Sequence, residues 1–152
     1  QERSKTKEEI LAARAREAEE AKAKALAAEA ATKRAAADRV LLDTFSSEDD
    51  LVLARDGQLT NVEAQIKVTE SHVKKLDRQL DQMIGQAADI EKRGRKVPEN
   101  LARNIDSVRD QIVDQQEFIA EKRQEQDAIR AKFDADIERF RELRTQQTVT
   151  AN

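Results

Sequence analysis

The stretch KRGRKVPEN, residues 92–100, decides the fold. It holds the only proline and one of the three glycines in 152 residues. Gly94 suits the left-handed position just past a helix end, and Pro98 suits the first turn of a new helix. Read in that order, the stretch closes one helix and opens another within a few residues.

What flanks it gives the two helices their shape. Before it, Leu59, Val62, Ile66, Thr69, Val73, Leu76, Leu80, Met83, Ala87 and Ile90 recur in alternating steps of three and four. After it, Leu101, Ile105, Val108, Ile112, Gln115, Ile119, Lys122, Gln126, Ile129, Phe133, Asp136, Phe140 and Leu143 do the same. Each row is a heptad seam on one helix face. Two such seams joined by about four residues bury themselves by folding back on each other. The expected fold is therefore all-α, a long antiparallel coiled-coil hairpin with helices at residues 47–93 and 98–145.

Folding about residues 95–96 places Ile90 near Leu101, Met83 near Val108, Leu80 near Ile112 and Leu59 near Phe133. The same register sets Thr69 toward Lys122 and Arg55 toward Asp136, so that polar interruptions coincide and fix the alignment. A slip that opposes Arg55 to Phe133 or Phe140 also matches the seams. It is disfavoured because a buried charge without a partner is costly.

Residues 12–37 carry 14 alanines among Glu, Lys and Arg. This is strong helix-forming material with little bulk for a core, and a third helix is expected over residues 5–43. The chain thus divides into an Ala-rich helix, residues 1–43, and a hairpin with a polar C-terminal tail, residues 44–152, in an elongated three-helix arrangement. Between the parts, Ser46 or Ser47 can cap the next helix, with Asp49 or Asp50 three residues on. That elbow is either a sharp reversal or a kink. The tail TQQTVTAN, residues 145–152, is expected to fray.

Composition narrows function. Charged residues make up 39% of the chain against 38% hydrophobic, with four Phe and no Trp or Tyr, which is too little bulk for one compact core. Net charge is −3, so no segment resembles a nucleic-acid surface. No apolar run reaches the roughly 18 residues of a membrane span. With no cysteine, thiol chemistry is excluded while either redox compartment fits. A chain beginning at Gln1 reads as a fragment or a processed product, and removal of a secretory signal would leave such an end. Export to the periplasm or cell surface is expected over a cytoplasmic location.

No catalytic, cofactor-binding or metal-binding residues are expected. His72 is the sole histidine and has no second imidazole or Glu-x-x-His spacing beside it. The serines lack a histidine partner and the glycines form no phosphate loop. Gly57 and Gly85 interrupt heptads without ending them and read as points of local looseness. One charge feature departs from balance: Lys92, Arg93, Arg95 and Lys96 ring Gly94. They complement a helix C-terminus and also offer a docking point for acidic groups. At the far end of the hairpin lie Glu48, Asp49 and Asp50, with Phe45 beside them, and Asp134, Asp136 and Glu138 on the other arm. Basic tip and acidic base invite head-to-tail contact between copies.

The elbow DRVLLDTFSSEDDLVLARDGQL, residues 38–59, followed by the heptads and GRKVPENL, residues 94–101, resembles uncharacterised coiled-coil proteins of the proteobacterial cell envelope. The likeness covers residues 38–144. The Ala-rich segment is similar in composition to stalks of envelope-spanning proteins. Together these readings lead to a non-enzymatic structural protein, a homo-oligomeric or polymeric spacer or scaffold in a filamentous or envelope assembly. The alternative is a periplasmic holdase-type chaperone, or an adaptor whose hairpin tip docks on an envelope protein.

Overall fold

A computed structural model describes residues 6–151. They form three helices: α1 (Lys7–Thr44), α2 (Glu48–Lys92) and α3 (Glu99–Ala151). No strand occurs among the described residues, so the chain is all-α, as expected. The proposed start of α1 at Lys5 lies outside the described residues, as does Asn152 at the end of the tail.

Each helix end has a local cause. At Thr6 the hydroxyl accepts from the Glu9 amide at 3.2 Å while the Glu9 carboxylate accepts from the Thr6 amide at 3.3 Å. This reciprocal box satisfies two of the free donors of the first turn. α2 ends as the glycine foretold. Gly94 takes φ +75°, its amide donates to the Glu91 carbonyl at 2.9 Å, and the Arg95 amide donates to the Ile90 carbonyl at 3.1 Å. These are the two bonds of a Schellman cap. Pro98, which has no amide proton to lose, gives its carbonyl to the Ala102 amide at 3.1 Å and starts α3.

Contacts divide the chain into two compact units. One is Asp49–Ile137, and the other joins the chain up to Glu48 with the chain from Glu138 onward. The boundary expected at residue 43 thus lies elsewhere, because the end of α3 contacts the α1 unit.

The Asp49–Ile137 unit is an antiparallel helical hairpin. All ten seam positions of α2 from Leu59 to Ile90 are buried or half-buried, and so are all those of α3 in this unit. Leu76, Val108 and Ile112 form its buried cluster, against which Val73, Leu80 and Met83 pack. Leu80 and Ile112 therefore belong to one stretch of core, as the sequence suggested. Off the seam most residues of both arms are exposed, except at the start of α2, where Leu51 is fully buried and Asp50, Val52, Ala54 and Arg55 are half-buried.

The expected polar alignment is corrected. Arg55 meets Asp134, with Nη1 3.7 Å from Oδ1, rather than Asp136, and Glu63 receives a bond from Gln126 at 2.7 Å. Arg123 also crosses between the arms, donating to Glu70 at 3.2 Å, so the polar pairs follow more than one spacing. Arg55 is not a buried charge without a partner: it keeps 27% of its side chain exposed and also bonds Asp56 at 3.1 Å. Thr69 and Lys122 are not a pair either. Buried Thr69 donates to the Gln65 carbonyl of its own helix at 2.9 Å, and Lys122 bonds Glu125 at 3.0 Å. Thr69 and Lys122 are thus each satisfied on their own helix.

In the other unit, Leu41, Phe140 and Leu143 are buried. Of α1 residues 7–37, only Ala13 is even half-buried. The tail also differs from expectation, since α3 is helical through Ala151. Extending an existing helix adds one bond per ordered residue without a new nucleus. In addition, Thr145, Thr148 and Thr150 donate their hydroxyls to carbonyls four residues back, at 2.9, 3.0 and 2.8 Å.

Two stability predictions follow from this packing. Ile112→Ala removes a buried side chain from the only seam of its unit and should cost about 2–5 kcal/mol in urea unfolding. Gly57 and Gly85 lie within α2, and a Cβ at either would meet nothing within 4 Å. Gly57→Ala and Gly85→Ala should each raise stability by about 0.5–1 kcal/mol. A loss at either glycine would reveal a bend that the helix needs.

Candidate functional site

The hairpin tip is built by the two caps just described, which hold residues 93–98 out of both helices. Lys92, Arg93, Arg95 and Lys96 are all exposed, and none makes an ion pair among the described residues. The Schellman cap turns the chain so that cations on both sides of Gly94 crowd one turn. Behind the tip, α2, α3 and Val97 of their connection line an open groove of about 430 Å³. It exists because Ala87, Ala88 and Ala102 line it with small side chains beside Ile84, Val97 and Ile105.

The acidic end is arranged differently. Glu48 is taken by Arg141, whose Nε and Nη2 donate to its two oxygens at 2.9 and 3.1 Å. Asp134 faces Arg55, and Asp50 and Asp136 are half-buried. Phe45 caps α1 and is half-buried, with its amide bonded to the Leu41 carbonyl at 3.2 Å. Asp49 alone of the Glu48–Asp50 trio is exposed. Of the residues expected to form an acidic docking surface, Asp49, Asp134 and Glu138 are exposed.

Periodicity gave no sign of the cluster of arginines at the elbow. Arg139 donates from Nε and Nη2 to the two oxygens of Asp38 at 2.9 and 2.7 Å, and from Nη1 to Glu142 at 2.9 Å. Arg144 reaches the Ser46 carbonyl at 2.7 Å. Three arginines spaced within six residues of α3 thus hold the end of α1, the elbow backbone and the first residue of α2. The Asp38–Arg139 fork is sheltered, with 18% and 25% of the two side chains exposed, so it is screened less than an ordinary surface pair. The only signal in the sequence was the run of Arg139, Arg141 and Arg144 near an acidic elbow, and partner choice among long side chains is not periodic.

These contacts tune the carboxylates. The hydrogen bond from Arg139 holds Asp38 below the usual carboxylate range, against a smaller opposing effect of burial. The bond from Arg141 does the same for Glu48, and that from Gln126, helped by Arg123 and Lys67, for Glu63. Arg139 is held more firmly cationic by Asp38 and Glu142. These are structural ion pairs, and none is placed in an enclosed pocket. His72 is exposed on α2. Among the described residues no group of three or more His, Cys, Asp or Glu could hold a metal ion, and no helix is long and apolar enough to cross a membrane.

Because all three carboxyls titrate lower in the fold than in the unfolded chain, the unfolded chain takes up protons first as pH falls. Their stabilisation is fully present near neutrality and should be lost progressively below about pH 4. Arg139→Ala should remove hydrogen-exchange protection from residues 38–44 while amides around Leu76 and Ile112 keep theirs. Equal loss in both regions would mean that the fork supports the whole fold rather than the elbow. Comparison of the chain with protein-family models, curated proteins and solved structures finds no match.

Proposed function

We propose that the chain is a non-enzymatic structural subunit, a helical spacer or scaffold that self-associates within a larger assembly. The supporting observation is α1. It is a 38-residue helix, boxed at its N-terminus and tied near its C-terminus, whose residues 7–37 contribute almost nothing to the core. Alternation of Ala with Glu, Lys and Arg makes such a helix persist without tertiary support, as a semi-rigid spacer advancing 1.5 Å per residue. Ion pairs such as Glu29–Lys33, four residues apart at 3.2 Å, add to its persistence.

Self-association is supported by what remains outside the seam. Leu11, Leu26, Leu53 and Val68 each stand more than half exposed, on helices whose apolar stripe is already used or absent. The holdase alternative draws less support, since a grip between the arms needs an open apolar face and here the arms fill each other's. The adaptor alternative keeps one observation in its favour, the uncompensated cations of the tip.

The spacer reading is tested on α1 itself. With no native cysteine to interfere, spin labels at Leu11→Cys and Val40→Cys should report a narrow distance distribution centred on about 44 Å. A broad distribution at shorter distances would reject a rigid spacer. Self-association is tested by sedimentation velocity over rising concentration, where the mean mass of the parent chain should climb. Mass fixed at that of one chain throughout would reject that part of the proposal.

A further inference from the structure

The self-associating reading above leaves open which surfaces meet, and this inference rests on that reading. Two unlike surfaces of the Asp49–Ile137 unit complement each other. The first is the groove behind the tip, where small apolar side chains share the lining with Glu91, Asp106 and Arg109; the four exposed tip cations lie in sequence between its lining residues Glu91 and Val97. The second is an outward face near the start of α2, where Leu53 stands 71% exposed. Asp49 lies four residues before it and Asp56 three after, so both carboxylates share its helix face. Asp49 has no ion pair among the described residues, and Asp56 has only its neighbour Arg55, at 3.1 Å.

We infer that Leu53 of one copy seats in the groove of a second copy, with Asp49 and Asp56 turned to the tip cations. The leucine suits the alanine-lined part of the groove, and the two carboxylates are opposite in sign to the tip cations. The groove's own Glu91 and Asp106 oppose the approach of acid at its edge, so the tip cations supply the net attraction. The match cannot be made within one molecule: Leu53 and Ile84 are separated by about 45 Å of continuous helix. Because knob and groove are different patches, each copy that offers one keeps the other free. The contact is head-to-tail and runs on instead of closing into a symmetric dimer. One helix turn in a groove is smaller than the ~1,200 Å² of a stable interface, so the association is weak, concentration-dependent and salt-sensitive.

The unlike surfaces give a test that a symmetric contact would fail. Leu53→Lys destroys the knob and keeps the groove, while Arg95→Glu with Lys96→Glu reverses charge at the groove and keeps the knob. The reversed residues lie outside both helices, and circular dichroism checks that helicity is unchanged. In sedimentation velocity at low salt, each variant alone should need about tenfold or more higher concentration than the parent to associate. Mixed, the two variants should form a one-to-one dimer that grows no further, and about 0.5 M salt should weaken it. If the parent associates and Leu53→Lys associates equally well, or if the mixed variants form no dimer, this contact is wrong while self-association through another surface stands. If the parent itself never exceeds one chain, both readings fall.

Discussion

Everything in the Asp49–Ile137 unit depends on one contact, the apolar stripe of α2 against that of α3. The faces away from it are mostly exposed and rich in charge, with only scattered apolar residues such as Leu53 and Val68. A helix with one narrow apolar stripe gains its stability by covering it. The caps at Gly94 and Pro98 matter because they bring the stripes back to back within a few residues. Once that reversal is made, the remaining polar groups need only local solutions, such as the bond from Thr69 to its own helix and the pair of Gln126 with Glu63.

That dependence explains which features could be read from the residues. Gly94 and Pro98 were legible because each meets a backbone demand that few residues satisfy. The seams were legible because Leu, Ile and Val recur at helical spacing, and burial falls on those positions. Register was not. Several slips set apolar rows against apolar rows, and the choice rests on how Arg55, Asp134, Glu63 and Gln126 arrange long side chains that retain some access to water. Arg55 is not fully buried, since a long guanidinium side chain can lay its stem along apolar surface and keep its head in water.

The elbow and the tail were hidden for related reasons. Arg139, Arg141 and Arg144 meet groups roughly one hundred residues away, and nothing periodic announces such pairing. TQQTVTAN looks like a fraying end on composition, yet the first seven residues of it prolong α3, where each added residue inherits an existing helix. At the candidate site the position of the tip cations was legible, while the groove behind them was not. It arises from alanines that a sequence shows only as helix formers.

The distribution of charge gives the two ends of the hairpin different characters. Near the elbow, Arg139, Arg141 and Arg144 meet Asp38, Glu48, Glu142 and a backbone carbonyl, so opposite charges are largely spent on holding the chain to itself. At the tip, four cations share a turn with no such partner among the described residues, and their mutual repulsion is relieved there only by water and salt. A structural demand explains one cation, since Lys92 lies in the last turn of α2 and complements its dipole. It does not explain Arg95 and Lys96, which follow the cap and belong to neither helix. These two cations are charge that the fold does not use, set on the turn between Gly94 and Pro98 and next in sequence to Val97, which lines the groove.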